Sequence, residues 1–196
     1  MGCTRILAPR QLIHFMKQPQ TELIIRVDAS GTSIGSVEKW EAHKKGILHK
    51  GFTVGLIYKS SVILQQRKHI VFDKTTDCTA SSHALVINSV AEPEEKAVMR
   101  SLMREWMITS QNIKNLHAVG SFVYKAFDAV SGFTEHEYCT MYQAVTDTMP
   151  KINKECAYGL ETVPLFQLRL HKPALPFAPW AKLAIELLLS AYPINP

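Results

Sequence analysis

The chain has no run of apolar residues approaching the ~20 that a membrane-spanning helix needs. Its N-terminus lacks an apolar signal region as well. The expectation is therefore a cytoplasmic protein with no membrane partner. Met1-Gly2-Cys3 has the start of a dual acylation signal, but Ile6 stands where serine or threonine is wanted. Cysteine is sparse: Cys3, Cys78, Cys139 and Cys156 show no CxxC spacing and fit a reducing cytosol. Internal repeats, low-complexity tracts and linkers are all missing, so residues 1–196 read as one domain preceded by an arm over 1–21. The net charge of +5 suits a phosphorylated ligand, yet the basic residues form no aromatic-interleaved stripe. The expected partner is a small-molecule substrate and not nucleic acid.

What is present is ordinary for a globular core: 46% hydrophobic and 20% charged residues. Residues 8–18 read as a short helix or irregular arm ending at Pro19. Residues 22–28 (ELIIRVD) and 34–37 read as strands. Residues 39–49 (KWEAHKKGILH) read as a turn or loop that brings His43 and His49 together. Residues 52–58 and 62–66 form two strands around Lys59, Ser60 and Ser61, a hairpin signal. Pro93 opens a helix over about 94–108, acidic at its start and striped by Val98, Leu102 and Trp106. Strands follow over 122–127 and 138–145. Residues 150–176 read as irregular, with a short helix near Val163. Pro179 begins a terminal helix over about 179–192, striped by Leu183, Ala184, Leu187, Leu188 and Ala191. Strands, a central helix, strands and a terminal helix predict an α+β fold or a three-layer sandwich, and not a doubly wound sheet.

Residues 133–139 (FTEHEYC) carry the chemistry. As a strand they project Glu135, Glu137 and Cys139 from one face and His136 from the other. Two carboxylates on one face repel unless water or a cation separates them. An exposed edge strand with solvated acids is the plain alternative.

Several ordered blocks resemble type I isopentenyl-diphosphate isomerase, a family with the Nudix fold. They are Lys39-Trp40-Glu41-Ala42-His43, Gly46-Ile47-Leu48-His49, Leu64-Gln65-Gln66-Arg67, Ser82-His83, the helix over 97–108, Phe122-Val123-Tyr124, Glu135-His136-Glu137 and Phe177-Ala178-Pro179-Trp180. The resemblance runs over about residues 23–188. It implies a Nudix-like α/β/α sandwich with a mixed sheet. It also implies a divalent metal (magnesium, manganese or zinc) held by His43, His49, His83, Glu135 and Glu137, and a second, substrate-bridging magnesium on Glu105. Imidazole and carboxylate suit such ions independently of the family. Glu137, Tyr124 and Trp180 match its catalytic glutamate, tyrosine and tryptophan, and Lys39 and Arg67 its basic contacts to the substrate. An indole face stabilises a desolvated cation by about 2 kcal/mol, which suits Trp180 to a carbocation.

The family's catalytic cysteine is here Ser81, and one of its helix arginines is Ser101. A thiol titrates near 8.5, within reach of tuning, whereas an aliphatic hydroxyl relays a proton but is a poor base. Lys68 and Lys74 are further candidates for the basic grip. Ser101 and Arg104 occupy positions where a Nudix hydrolase box needs glutamate, which disfavours diphosphate hydrolysis. The expected function is metal-dependent proton addition and removal on an alkene-containing substrate, of which a prenyl diphosphate is one candidate. The alternatives are a repurposed isomerase or cyclase of specialised metabolism and a non-catalytic ligand-binding protein.

Overall fold

In the computed structural model, which describes residues 21–170 and 175–192, the chain runs through eleven strands and four α-helices. In order these are β1 (Leu23–Val27), β2 (Ser33–Glu38), α1 (Lys39–Lys45), β3 (His49–Tyr58), β4 (Ser61–Arg67), β5 (Thr76–Asp77), β6 (Ala80–Ser82), β7 (Val86–Ile87) and β8 (Val90–Ala91). Then come α2 (Glu94–Trp106), β9 (Ile113–Phe127), β10 (Thr134–Thr146), β11 (Ala157–Pro164), α3 (Leu165–Leu170) and α4 (Pro179–Ala191). The arm expected over 8–18 lies outside the described residues. No helix among them is long and apolar enough to cross a membrane.

The site is built by a hairpin that splits. Lys59 and Ser60 both take positive φ (46° and 60°), the backbone of a two-residue turn matched to strand twist. β3 and β4 then pair only at Ile57–Val62 and Tyr58–Ser61 before parting. β6 fills the fork on the β3 side and β5 on the β4 side, through Thr53–Ser81 and Gln65–Asp77. Thr79 ties the fork together, donating to Ile63 O at 2.6 Å and accepting from Leu56 N at 2.8 Å. On its other edge β3 runs parallel to β10, from His49 opposite Glu137 to Tyr58 opposite Thr146. β10 pairs antiparallel with β9, where Glu137 faces Tyr124. One lateral row of the sheet thus holds His49, Glu137 and Tyr124.

Each sheet face carries a helix. Val98, Leu102 and Trp106 of α2 are fully buried with Phe52, Val54, Leu56 and Ile63. Ala181, Ala184, Ile185 and Leu188 of α4 close the other face over Ile57, Leu64, Cys78 and Met141. A Cβ at Gly55 would lie 2.9 Å from Leu188 and 3.0 Å from Met141, so glycine lets α4 seat there. This is the mixed-sheet α/β/α sandwich that the sequence predicts.

The differences have physical causes. The expected loop at 39–49 is mostly the helix α1, with the Glu38 side chain accepting from Glu41 N and Gly46 ending it at φ 61°. Two turns are too short to display a period. β9 begins nine residues before the expected strand, because its half-exposed residues gain their order from the β10 ladder. β11 replaces much of the expected irregular stretch as an edge strand on β4, and the short helix expected near Val163 is α3, which begins at Leu165 directly after β11. On α4 the buried face is rotated: Leu183 and Ala191 are exposed, while Ala181 and Ile185 are buried.

Candidate functional site

The residues 133–139 alternate as expected. Glu135, Glu137 and Cys139 are buried, and His136 turns to the other face, where its Nδ1 meets Gly46 O at 2.9 Å. The solvated-edge alternative is therefore excluded. Glu137 lies directly over Gly51, where a Cβ would come within 2.3 Å of Oε2. Glycine at that position makes room for the carboxylate.

Three histidines from separate elements close on these acids. His43 comes from α1, His49 from the first position of β3 and His83 from the segment after β6. One ligand atom from each of His43, His49, His83 and Glu135 lies within 4.8 Å of every other, and all four residues are buried. His43 Nε2 is 3.2 Å from Glu135 Oε2. His83 Nε2 is 2.9 Å from Glu137 Oε1 and 3.2 Å from His49 Nε2.

The imidazoles are oriented by the backbone. His43 Nδ1 sits 2.6 Å from Lys39 O and His49 Nδ1 2.8 Å from Ile47 O. A carbonyl only accepts, so each Nδ1 carries the proton and each Nε2 points its lone pair into the cluster. Among the described residues, the buried Glu135 Oε2 has no hydrogen-bond partner. A lone-pair nitrogen facing an orphaned carboxylate oxygen at 3.2 Å needs a cation between them. The donor set of imidazoles and carboxylates fits a divalent metal.

Without a metal, the acids and imidazoles compete for protons in its place. Burial alone would lower the pKa of His43, but Glu135 outweighs it and raises it. Burial pushes His83 down to about 4 against the pull of Glu137. Burial works against the Glu137 carboxylate, yet His49 and His83 hold it well below the usual range. Tyr124 donates to Glu137 Oε2 at 2.9 Å, and burial together with the two acids keeps its phenol protonated.

Ser81, Trp180 and Arg67 stand together on the same cavity of about 190 Å³, which Glu137 and Tyr124 also line. Ser81 donates to Thr53 Oγ1 at 2.8 Å and accepts from Trp180 Nε1 at 3.0 Å. Trp180 Nε1 also donates to Asp77 Oδ1 at 2.8 Å. Arg67 pairs with Asp77 Oδ2 at 2.7 Å and stacks its guanidinium 4.8 Å from the Trp180 ring centroid. Tyr124 is 5.6 Å from that ring. One cation thus already sits over the indole.

Lys39 and Glu105 line the cavity too. Lys39 pairs with Glu22 at 2.9 Å. Glu105 is buried, pairs with Arg104 through Oε1 and lies 3.5 Å from Gln65 Nε2 through Oε2. Ser101 is fully buried and its Oγ has no partner among the described residues. Lys68 lines the cavity, whereas Lys74 lies against a separate depression beside β11. Cys78 and Cys139 are buried with their thiols pushed up by burial, and neither lines the cavity.

Sequence reasoning missed Asp77 and Cys156. Asp77 is fully buried behind Arg67 and Ser81, and it lies four residues before Ser81, the same parity along an extended segment. That parity was the available signal. Cys156 reaches the cavity from the turn before β11, with its thiol raised by burial. Nothing local marks it.

No family model matches the chain. It is 33% identical over 127 residues to the isopentenyl-diphosphate Delta-isomerase of Aliivibrio fischeri strain MJ11, covering 60% of this chain and 65% of that protein. The chain thus spans slightly less than two thirds of that relative. It is 30% identical over 172 residues to the Nocardia farcinica protein of the same name, covering 85% of this chain and 94% of the relative. Among solved structures, the MutT NUDIX hydrolase of Burkholderia pseudomallei superposes with a TM-score of 0.54 at 20% identity, over 72% of this chain and 98% of that one. That likeness concerns the fold alone.

Proposed function

The chain belongs to the isopentenyl-diphosphate isomerase family on a Nudix fold, and from that premise we propose that it adds a proton to an alkene and removes one from a neighbouring carbon. The observation that supports this most is the Tyr124 to Glu137 hydrogen bond of 2.9 Å, set against the histidine cluster and opening onto the cavity that Ser81 also lines. His43, His49, His83, Glu135 and Glu137 would hold a divalent ion, which supplies a fixed positive charge that keeps both carboxylates ionised and in place. Glu105 is the candidate for a second such ion, in exchange for its pairing with Arg104.

The chain's own residues then divide the proton work. Tyr124 holds the proton in its hydrogen bond to the ionised Glu137 Oε2, and delivery to a carbon in the cavity is assigned to this pair. Adding it to a terminal alkene carbon gives a tertiary cation, and loss of a proton from the adjacent methylene re-forms the double bond one position along. Ser81 is the group for the second transfer. Its oxygen takes the methylene proton as its own hydroxyl proton passes to the neighbouring Asp77 carboxylate, so Ser81 relays and Asp77 is the base that keeps the proton. Trp180 and Tyr124 present aromatic surface to the cation formed between the two steps. The same groups serve an isomerase or a cyclase, because both begin with alkene protonation.

A second reading, a ligand-binding protein without turnover, draws on one observation: both sides of Ser81 are held by other side chains. One experiment separates the two. Metal-loaded protein is incubated in deuterated water with isopentenyl diphosphate and, separately, with its alcohol. Deuterium in recovered or isomerised alkene is the expected result. Its absence from both compounds rejects proton chemistry on these small alkenes.

A further inference from the structure

Phe72 stands in the left-handed region at φ 52°, a conformation that a bulky residue holds when its surroundings over-determine it. Two side chains do so here. Asp128 Oδ2 accepts from Phe72 N at 2.8 Å, and Thr75 Oγ1 donates to Phe72 O at 2.7 Å. The ring so placed meets Trp180 in a T-shaped contact, with centroids 5.5 Å apart and planes at 81°. Neither Phe72 nor Asp128 lines the cavity, so any part they have in the chemistry runs through Trp180.

Asp128 reaches Phe72 from a distant part of the chain. It closes the turn between β9 and β10, where its N donates to Phe133 O and its O accepts from Gly132 N, both at 2.8 Å. Its carboxylate also accepts from Ser131 Oγ at 2.6 Å and Val130 N at 3.1 Å. Burial works against the charge, but the bonds from Ser131, Phe72 and Val130 hold this carboxyl below the ordinary range. The two strands leaving that turn carry Tyr124 and Glu137, which deliver the proton. On the accepting side, the indole that Phe72 touches donates to Asp77 at 2.8 Å and to Ser81 at 3.0 Å. The contacts from Asp128 through Phe72 to Trp180 therefore link the delivering hairpin to the accepting groups.

We propose that Asp128 and Phe72 are positioning residues. The hydrogen bond between them holds Phe72 against Trp180, and so fixes the indole that orients Ser81 and Asp77 relative to Tyr124 and Glu137. The carrying observation is the left-handed backbone of Phe72, pinned from the β9–β10 turn with its ring on the indole. For the reaction this rests on the alkene-protonation reading above; for the geometry it does not.

The test compares the full chain, loaded with magnesium or zinc, with Asp128→Ala, Phe72→Leu and Ser131→Ala. The indole N–H resonance of Trp180, assigned by its loss in Trp180→Phe, reports the bonds to Asp77 and Ser81 without reference to turnover. It should move in Asp128→Ala and in Phe72→Leu. It should stay in Ser131→Ala, which removes a bond to the same carboxylate within the turn alone. In the deuterium incubation, kcat should fall about 100-fold in the first two variants, the loss that a misplacement of about 1 Å produces, with KM little changed. A resonance that stays in place in folded Phe72→Leu or Asp128→Ala overturns the proposal, as does an equal shift in Ser131→Ala. A shift with kcat unchanged overturns it too, because the place of the indole would then not matter to the relay. If Asp128→Ala does not fold, Phe72→Leu decides. If the parent chain incorporates no deuterium, the reaction falls and the resonance alone decides the positioning.

Discussion

The two walls of the cavity are built on opposite principles. On the histidine wall, lone pairs converge, and the buried Glu135 Oε2 has no partner within the described chain. On the serine wall, Asp77, Ser81, Thr53 and Trp180 satisfy one another, and the nearest charge is already balanced. The first wall is incomplete without a cation. The second is complete in itself. On the proposed reading, the histidine half is kept as a binding device and the serine half is rebuilt from neighbouring residues.

Removing the proton carrier from the histidine wall should have the largest effect. Glu137→Gln should lower deuterium incorporation by ~10²–10⁴-fold, the usual contribution of a positioned acid–base group. An unchanged rate would remove Glu137 from the proton transfer. On the serine wall, Asp77→Ala should destabilise by ~3–5 kcal/mol, because it strands Arg67 in a buried setting. Replacing both partners, as in Arg67→Met with Asp77→Leu, should recover most of that loss in a urea melt. Equal losses for the single and double variants would show that the pair itself is not what matters.

Stripping metal is the next step down. Saturation at about 100 times the dissociation constant is worth ~2.7 kcal/mol, so a chelator should lower the melting temperature by roughly 5–10 °C for a domain of this size. A melt indifferent to chelator would contradict the reading of the histidine wall. Ser81→Cys should have the smallest effect on stability, within ~1 kcal/mol, as a near-isosteric exchange. It should also raise deuterium exchange, since a thiol titrates near 8.5. A loss of exchange would mean that the serine hydroxyl is specifically required.

How much of this was legible beforehand differs between the walls too. The strand holding Glu135 and Glu137 announces itself by period-two alternation, and the α2 stripe of Val98, Leu102 and Trp106 by helical spacing. Both are local patterns, and both stand in the structure as read. The histidines could be gathered only through the ordered blocks of a family resemblance, since α1 is too short to show a period and His83 follows a three-residue strand. Asp77 was invisible for another reason. Its role depends on the fork between β3 and β4, which brings Arg67, Ser81 and Trp180 to it from three separate segments. The parity of Asp77 and Ser81 hinted at a shared side, but not at the buried arginine between the carboxylate and the cavity. β11 was hidden likewise, because an edge strand on β4 is defined by its partner more than by its own residues.

Metal content tests the central contrast most directly. After dialysis against metal-free buffer, elemental analysis of the parent chain and of Glu135→Gln should find close to one tightly held divalent ion per chain in the parent and a substantial loss in the variant. An equal content in both, or no retained ion in the parent, would contradict the assignment of His43, His49, His83 and Glu135 as a metal-holding wall.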